Sequence, residues 1–159
     1  MNKNKNAKGI ADVPVIADNL ATYAKKLKDS GELHKQLAST LIYAELAEYY
    51  CTILIEWLEK YLKRSIRASS VVNLSWKKPK NITKANLGSQ LKKLEIYTYP
   101  LKQEFEDTVD VIKEARNAVF HNLVTAHAKG INIKIKMVVI QDQTELLRRI
   151  LTKILIKLF

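Results

Sequence analysis

Three side chains in one short stretch, Arg116, Asn117 and His121, are of the types that act on a phosphodiester. Cutting an RNA strand without a metal requires a base for the ribose 2′-hydroxyl proton, a positive group for the charge of the pentavalent phosphate, and an acid for the leaving 5′-oxygen. A histidine titrates close enough to neutrality to serve as base or acid. An arginine stays charged and presents its donors as a planar fork, which suits phosphate oxygens. An asparagine adds a neutral donor and acceptor that orients the histidine or binds a phosphate oxygen. Arg116, Asn117 and His121 are therefore the candidate catalytic residues, with Glu48 and Asn122 in support. No competing set is visible: the chain has no P-loop, no Gly-rich nucleotide turn and no paired-carboxylate site. Its one cysteine, Cys51, excludes an internal disulfide, and no Cys/His cluster points to a metal. No cofactor is implied.

The elements that position these residues follow from apolar spacing. Leu101, Phe105, Val109 and Ile112 recur at helical intervals after Pro100, which predicts a long helix from about Leu101 to His127. Arg116 interrupts the apolar stripe of that helix. A second long helix, from about Glu32 to Arg67, carries Leu37, Leu41, Ala44, Cys51, Ile55, Leu58 and Leu62 in one narrow stripe, the pattern of bundle or dimer packing. Glu48 occupies the stripe position between Ala44 and Cys51. A core-facing carboxylate needs a partner; either Arg116 supplies it, or the helix is rotated so that Glu48 reaches water. On an ideal helix Arg116 and His121 point about 140° apart, with His121 about 40° beyond Asn117. A single straight helix therefore does not aim all three at one phosphate.

Glycine (four residues) and proline (three) are scarce and 47% of residues are apolar, which favours long helices over a turn-rich β fold. Residues 1–12 read as a mobile basic tail, and 13–159 as a single domain: an all-α, up-down bundle of four to five helices. A short first helix spans 14–28, a third segment carries Leu87, Leu91 and Leu94 on one face, and a last helix runs from Thr144 to Phe159. Two stretches read differently. Residues 71–76, ending in Trp76, and residues 131–139, where Ile131, Ile133, Ile135 and Met137 alternate, either pair as a short β-ribbon or form extended loops. Trp76 reads as a cover on the bundle or as a stacking surface for a base, and His34 and His127 as surface groups. The formal charge of +11 is consistent with a polyanion partner, although lysines spread over most segments also simply solvate helix faces. No secretory signal and no uncharged run of bilayer-spanning length is present, so a cytoplasmic protein without a membrane partner is expected.

The pattern Arg116-Asn117-x-x-x-His121 on a long helix resembles the signature of the HEPN superfamily, and Leu87-Gly88-x-x-Leu91 ahead of it is similar to a segment common in such sequences. The likeness covers most of 32–159, but its specific part is only 116–121. It implies a helical bundle of HEPN type and a two-fold homodimer in which two copies of the motif helix bring both histidines into one cleft. It further implies a metal-independent endoribonuclease that cuts single-stranded RNA by 2′-hydroxyl attack, in a toxin–antitoxin, defence or RNA-processing setting, with a cognate antitoxin as a further partner. Some members are non-catalytic modules that bind nucleic acid, nucleotide or protein, and that alternative stays open. One departure matters: the toxin branch paired with a nucleotidyltransferase antitoxin has a tyrosine two residues after the histidine, and here that position is Leu123.

Overall fold

The computed structural model of the chain describes residues 5–68, 86–121 and 132–158. Among the described residues are five α-helices, α1 (Lys5–Lys28), α2 (Leu33–Ala68), α3 (Leu87–Leu94), α4 (Lys102–Arg116) and α5 (Ile133–Leu158), with a π-helical turn, Asn117–His121, continuing α4. No strand occurs among the described residues. The described residues thus form an all-helical bundle.

Helix α2 is its axis. The residues of the expected stripe, Ala44, Cys51, Ile55 and Leu58, are buried, but so are Tyr43, Leu46, Ala47, Tyr50 and Leu54 on the neighbouring faces. The helix is enclosed on two sides, while Leu41 and Leu62, also assigned to the stripe, remain substantially exposed. Against one side packs α1 through Ala17, Ala21 and Ala24, small residues that let the helices approach until Ser39 Oγ donates to Ala24 O at 2.7 Å. Alongside lies α5, parallel to α2: Gln141 Nε2 donates to Thr40 Oγ1 at 3.2 Å, and Thr144 Oγ1 to Tyr43 O at 3.3 Å. The other side takes α3 and α4.

Two sequence expectations need correction. Residues 133–139 are not a strand. They form the start of α5, capped by Asn132, whose Oδ1 accepts from Ile135 N at 3.2 Å. The period-two isoleucines fall on different helix faces, Ile135 being 59% exposed while Met137 and Ile140 are buried. With one half of it helical, the proposed ribbon does not form; its other half, 71–76 with Trp76, lies outside the described residues. The first helix, expected over 14–28, begins earlier, at Lys5, and runs through Pro14.

The corner before α4 is tightly organised. Leu101 adopts a left-handed conformation (φ 58°), which costs a non-glycine residue about 1–2 kcal/mol. Lys102 Nζ offsets this by donating to Glu95 O at 2.8 Å and Tyr97 O at 2.7 Å, closing the free carbonyls at the end of α3. The turn sends α4 back antiparallel to α3, burying Phe105, Thr108, Val109, Ile112 and Ala115. Because α3 runs parallel to α2, up-down alternation is broken at that one short helix.

Candidate functional site

The last turn of α4 and the π turn carry the candidate residues. Arg116 ends α4, and its Nη1 pairs with Glu48 Oε1 across the α2–α4 boundary. Both side chains are about three-quarters buried, with 28% and 22% exposed. The two positions that interrupt the two apolar stripes therefore satisfy one another, as burial of a lone charge would require. Glu45, one turn earlier on α2 and 70% exposed, has its Oε1 3.9 Å from Arg116 Nη2. The backbone beneath Glu48 is fixed as well. Its carbonyl accepts from Thr52 Oγ1 at 3.0 Å and from Gln90 Nε2 at 3.2 Å, and the same Gln90 amide donates to Thr52 Oγ1 at 2.8 Å. Gln90 is buried, so α3 is tied to the turn of α2 that orients the arginine.

Beside this pair lies a groove of about 560 Å³. Its α4 wall is Lys113, Arg116, Asn117 and Phe120, spaced three, one and three residues apart, which is one helical face. The opposite wall is Leu41, Ala44 and Glu45 of α2, and the start of α3 closes one end at Asn86–Gly88. The stem of Lys113 passes close over Gly88: a Cβ built there would sit 3.9 Å from Lys113 Cδ. Its ammonium pairs with Asp110. Asn86 itself caps α3, its Oδ1 accepting from Ser89 N at 3.0 Å.

The structure therefore brings together Arg116, Asn117 and Glu48. It describes His121 as the last residue of the π turn, by its backbone. Asn122, Leu123 and His127 lie outside the described residues, as does the expected continuation of the helix to 127. The π turn bears on the angular problem. With i→i+5 hydrogen bonding, each residue advances less around the axis than in an α-helix. Backbone position 121 is consequently brought closer in angle to position 116 than the 140° of an ideal α-helix. Sequence periodicity carried no sign of this turn. Lys113, Phe120 and Glu45 were also passed over, although spacing from Arg116 along the same face would have found the first two.

Cys51, on the same face of α2 as Glu48, is not a candidate nucleophile. It is fully buried, and burial, with the Glu48 carboxylate adding to it, pushes its thiol well above the ordinary range. No helix among the described residues is long and apolar enough to cross a membrane. Compared with protein-family models, curated proteins and solved structures, the chain matches none.

Proposed function

We propose that this protein is a metal-independent endoribonuclease of HEPN type acting on single-stranded RNA. The observation that supports this reading best is the placement of Arg116: oriented by Glu48, it lies on the wall of an open groove with Asn117 beside it and His121 one turn on. In the proposed reaction the 2′-oxygen forms a bond to phosphorus as its proton passes to a base, and the bond from phosphorus to the 5′-oxygen breaks as that oxygen gains a proton. The products are a 2′,3′-cyclic phosphate and a 5′-hydroxyl. His121 serves as base or acid, Arg116 balances the phosphorane charge, and Asn117 orients the reacting groups. A second copy of the chain supplies the other histidine. An apolar groove of about 410 Å³ between α1 and α2, with Ile16, Leu20 and Leu41 exposed along it, supports two-fold association. It shares Leu41 and Glu45 with the Arg116 groove, so a partner seated there would border the candidate site.

One observation favours a second reading. Arg116 is already paired with Glu48 and close to Glu45, a balance of charge that a purely structural arginine would also show. On that reading the protein is a non-catalytic module that binds nucleic acid, nucleotide or a partner protein. Incubating the purified chain with mixed RNAs in EDTA separates the two. The ribonuclease reading expects cleavage to cyclic-phosphate ends by a particle with the mass of two chains, DNA left uncut, and His121→Ala inactive but folded. Cleavage that EDTA abolishes, or equal cutting of DNA, overturns the mechanism. A folded protein that binds RNA and leaves it whole favours the module.

A further inference from the structure

The groove beside Arg116 is chemically divided along its length. At one end stand two cations and an amide, Lys113, Arg116 and Asn117; at the other, Phe120 faces a wall that includes Leu41. Phe120 is half-buried, packed against the core on one side and open to the groove on the other. Leu41, in the N-terminal third of α2, is 50% exposed and so offers its side chain to the groove. From Arg116 to Phe120 is four residues, at most about 6 Å of rise, the α-helical value, comparable with the distance from a phosphate to its base across one ribose. Ligand sites commonly combine an apolar lining with a few convergent polar groups. Here the polar groups are the ones that bind phosphate, and the apolar group is an aromatic ring able to stack.

We infer that the groove seats one nucleotide unit, its phosphate on Lys113, Arg116 and Asn117 and its base on Phe120 with Leu41 opposite. The inference deepens the ribonuclease reading of the same site, by naming what the groove holds, and it requires an unstacked base, hence a single strand or a free nucleotide. It also assigns roles to three residues. Lys113 is a second phosphate-binding cation, released from Asp110 when the phosphate arrives. Phe120 is the base platform. Glu45, 70% exposed at the rim, opposes the incoming phosphate.

The test is an NMR titration of the dimeric or monomeric full chain, as isolated, with 5′-AMP, ribose 5-phosphate, inorganic phosphate and a deoxyadenosine trinucleotide. None of these has a 2′-hydroxyl positioned to attack an internucleotide phosphate, so binding is read apart from cleavage. Shifts at Lys113, Asn117 and Phe120 are expected with 5′-AMP, and tighter binding than ribose 5-phosphate by roughly five- to a hundredfold, the usual contribution of one stacked base. Phe120→Leu, which keeps an apolar side chain in the core, should abolish that preference for 5′-AMP while leaving ribose 5-phosphate unaffected; Phe120→Tyr should retain it. Lys113→Gln should weaken all phosphates and flatten the salt dependence. Glu45→Gln should tighten them about two- to fivefold, the range of an exposed charge pair. A trinucleotide that binds more tightly than 5′-AMP assigns the seat to a strand, and one that binds no better assigns it to the free nucleotide. Equal binding of 5′-AMP and ribose 5-phosphate, or a Phe120→Leu chain that keeps the preference, overturns the inference. Base-dependent binding without RNA cleavage would leave this seat standing and remove only the catalytic reading.

Discussion

At the residue scale, the productive signal was disagreement between a side chain and its pattern. Glu48 and Arg116 each occupied a position where an apolar residue belonged, and that mismatch pointed to their ion pair across 68 residues of chain. The residues around them were harder to find. Lys113 and Phe120 conform to their patterns, a lysine on an amphipathic helix and a phenylalanine at a core spacing, so only their spacing from Arg116 along one helix face marks them in the sequence. The pair also yields a prediction that separates position from charge. Glu48→Gln keeps a hydrogen-bond acceptor for the guanidinium at this position, whereas Glu48→Ala removes it and leaves only the more distant Glu45. Because both side chains retain about a quarter of their exposure, and Glu45 is near enough to compensate, the alanine variant should cost only about 1–2 kcal/mol in stability. On the ribonuclease reading, its effect on RNA cleavage should be larger than that figure implies, since a guanidinium free to swing would no longer meet the phosphate with both donors. Arg116→Lys should fold normally but lose about a hundredfold or more in rate, a point charge being a poor substitute for the fork. Denaturant unfolding beside initial cleavage rates measures both; if Arg116→Lys keeps full activity, the bidentate role is wrong.

At the element scale, helix existence was legible and two local details were not. The positions of α2, α3 and α4 follow from apolar spacing, because each buries a stripe that a 3.6-residue period predicts. At the start of α5 a run of alternating isoleucines satisfies a strand template over seven residues, which hides the helix there. The longer pattern Met137, Ile140, Gln141, Thr144, Leu147 is helical, but two of its five members are polar. Gln141 and Thr144 are buried because they bond to α2, and burial by hydrogen bonding leaves no hydropathy signal. The π turn at Asn117–His121 was illegible for a different reason: it is a change in backbone pairing with no residue type of its own. The start of α5 is open to test. Asn132→Ala removes the acceptor for Ile135 N and should cost about 1 kcal/mol, a fall in Tm of about 2–4 °C for a chain of this size. Lys134→Ala, one turn position away and exposed, should leave Tm within error. An unchanged Tm in Asn132→Ala would argue that α5 starts later.

At the scale of the whole molecule, α2 couples every other helix, and its tyrosines report on that coupling. Burial pushes Tyr43 up to about 12, with Glu145 adding to the shift by its charge and by a hydrogen bond. Burial likewise raises Tyr50 to about 12, although the nearby Arg148 acts in the opposite direction. Tyr99, at the corner before α4, is raised by burial and by Glu106, whose Oε1 accepts from its hydroxyl at 3.3 Å. In the unfolded chain these phenols ionise near pH 10. Between about pH 10 and 12 the unfolded state therefore binds fewer protons than the folded one, and stability falls as pH rises. The contribution of the protonated, buried phenols is complete below pH 10 and is lost as pH climbs through the folded values. Two of the three tyrosines lie on α2, where α1 and α5 meet it, and the third anchors α4, so ionising them opposes packing on both sides of the axis. Alkaline unfolding should accordingly be cooperative. The rise in tyrosinate absorbance at 295 nm and the loss of helical circular dichroism should coincide above pH 10, in high salt so that the deprotonation of surface lysines contributes little. Tyr43→Phe should move the midpoint to higher pH, by removing one ionising group while keeping its ring in the core. Should all seven tyrosines instead titrate near pH 10 with the helices intact, the phenols would have to be reached by water in the folded state, and the close packing of α1 and α5 on α2 would be disproved.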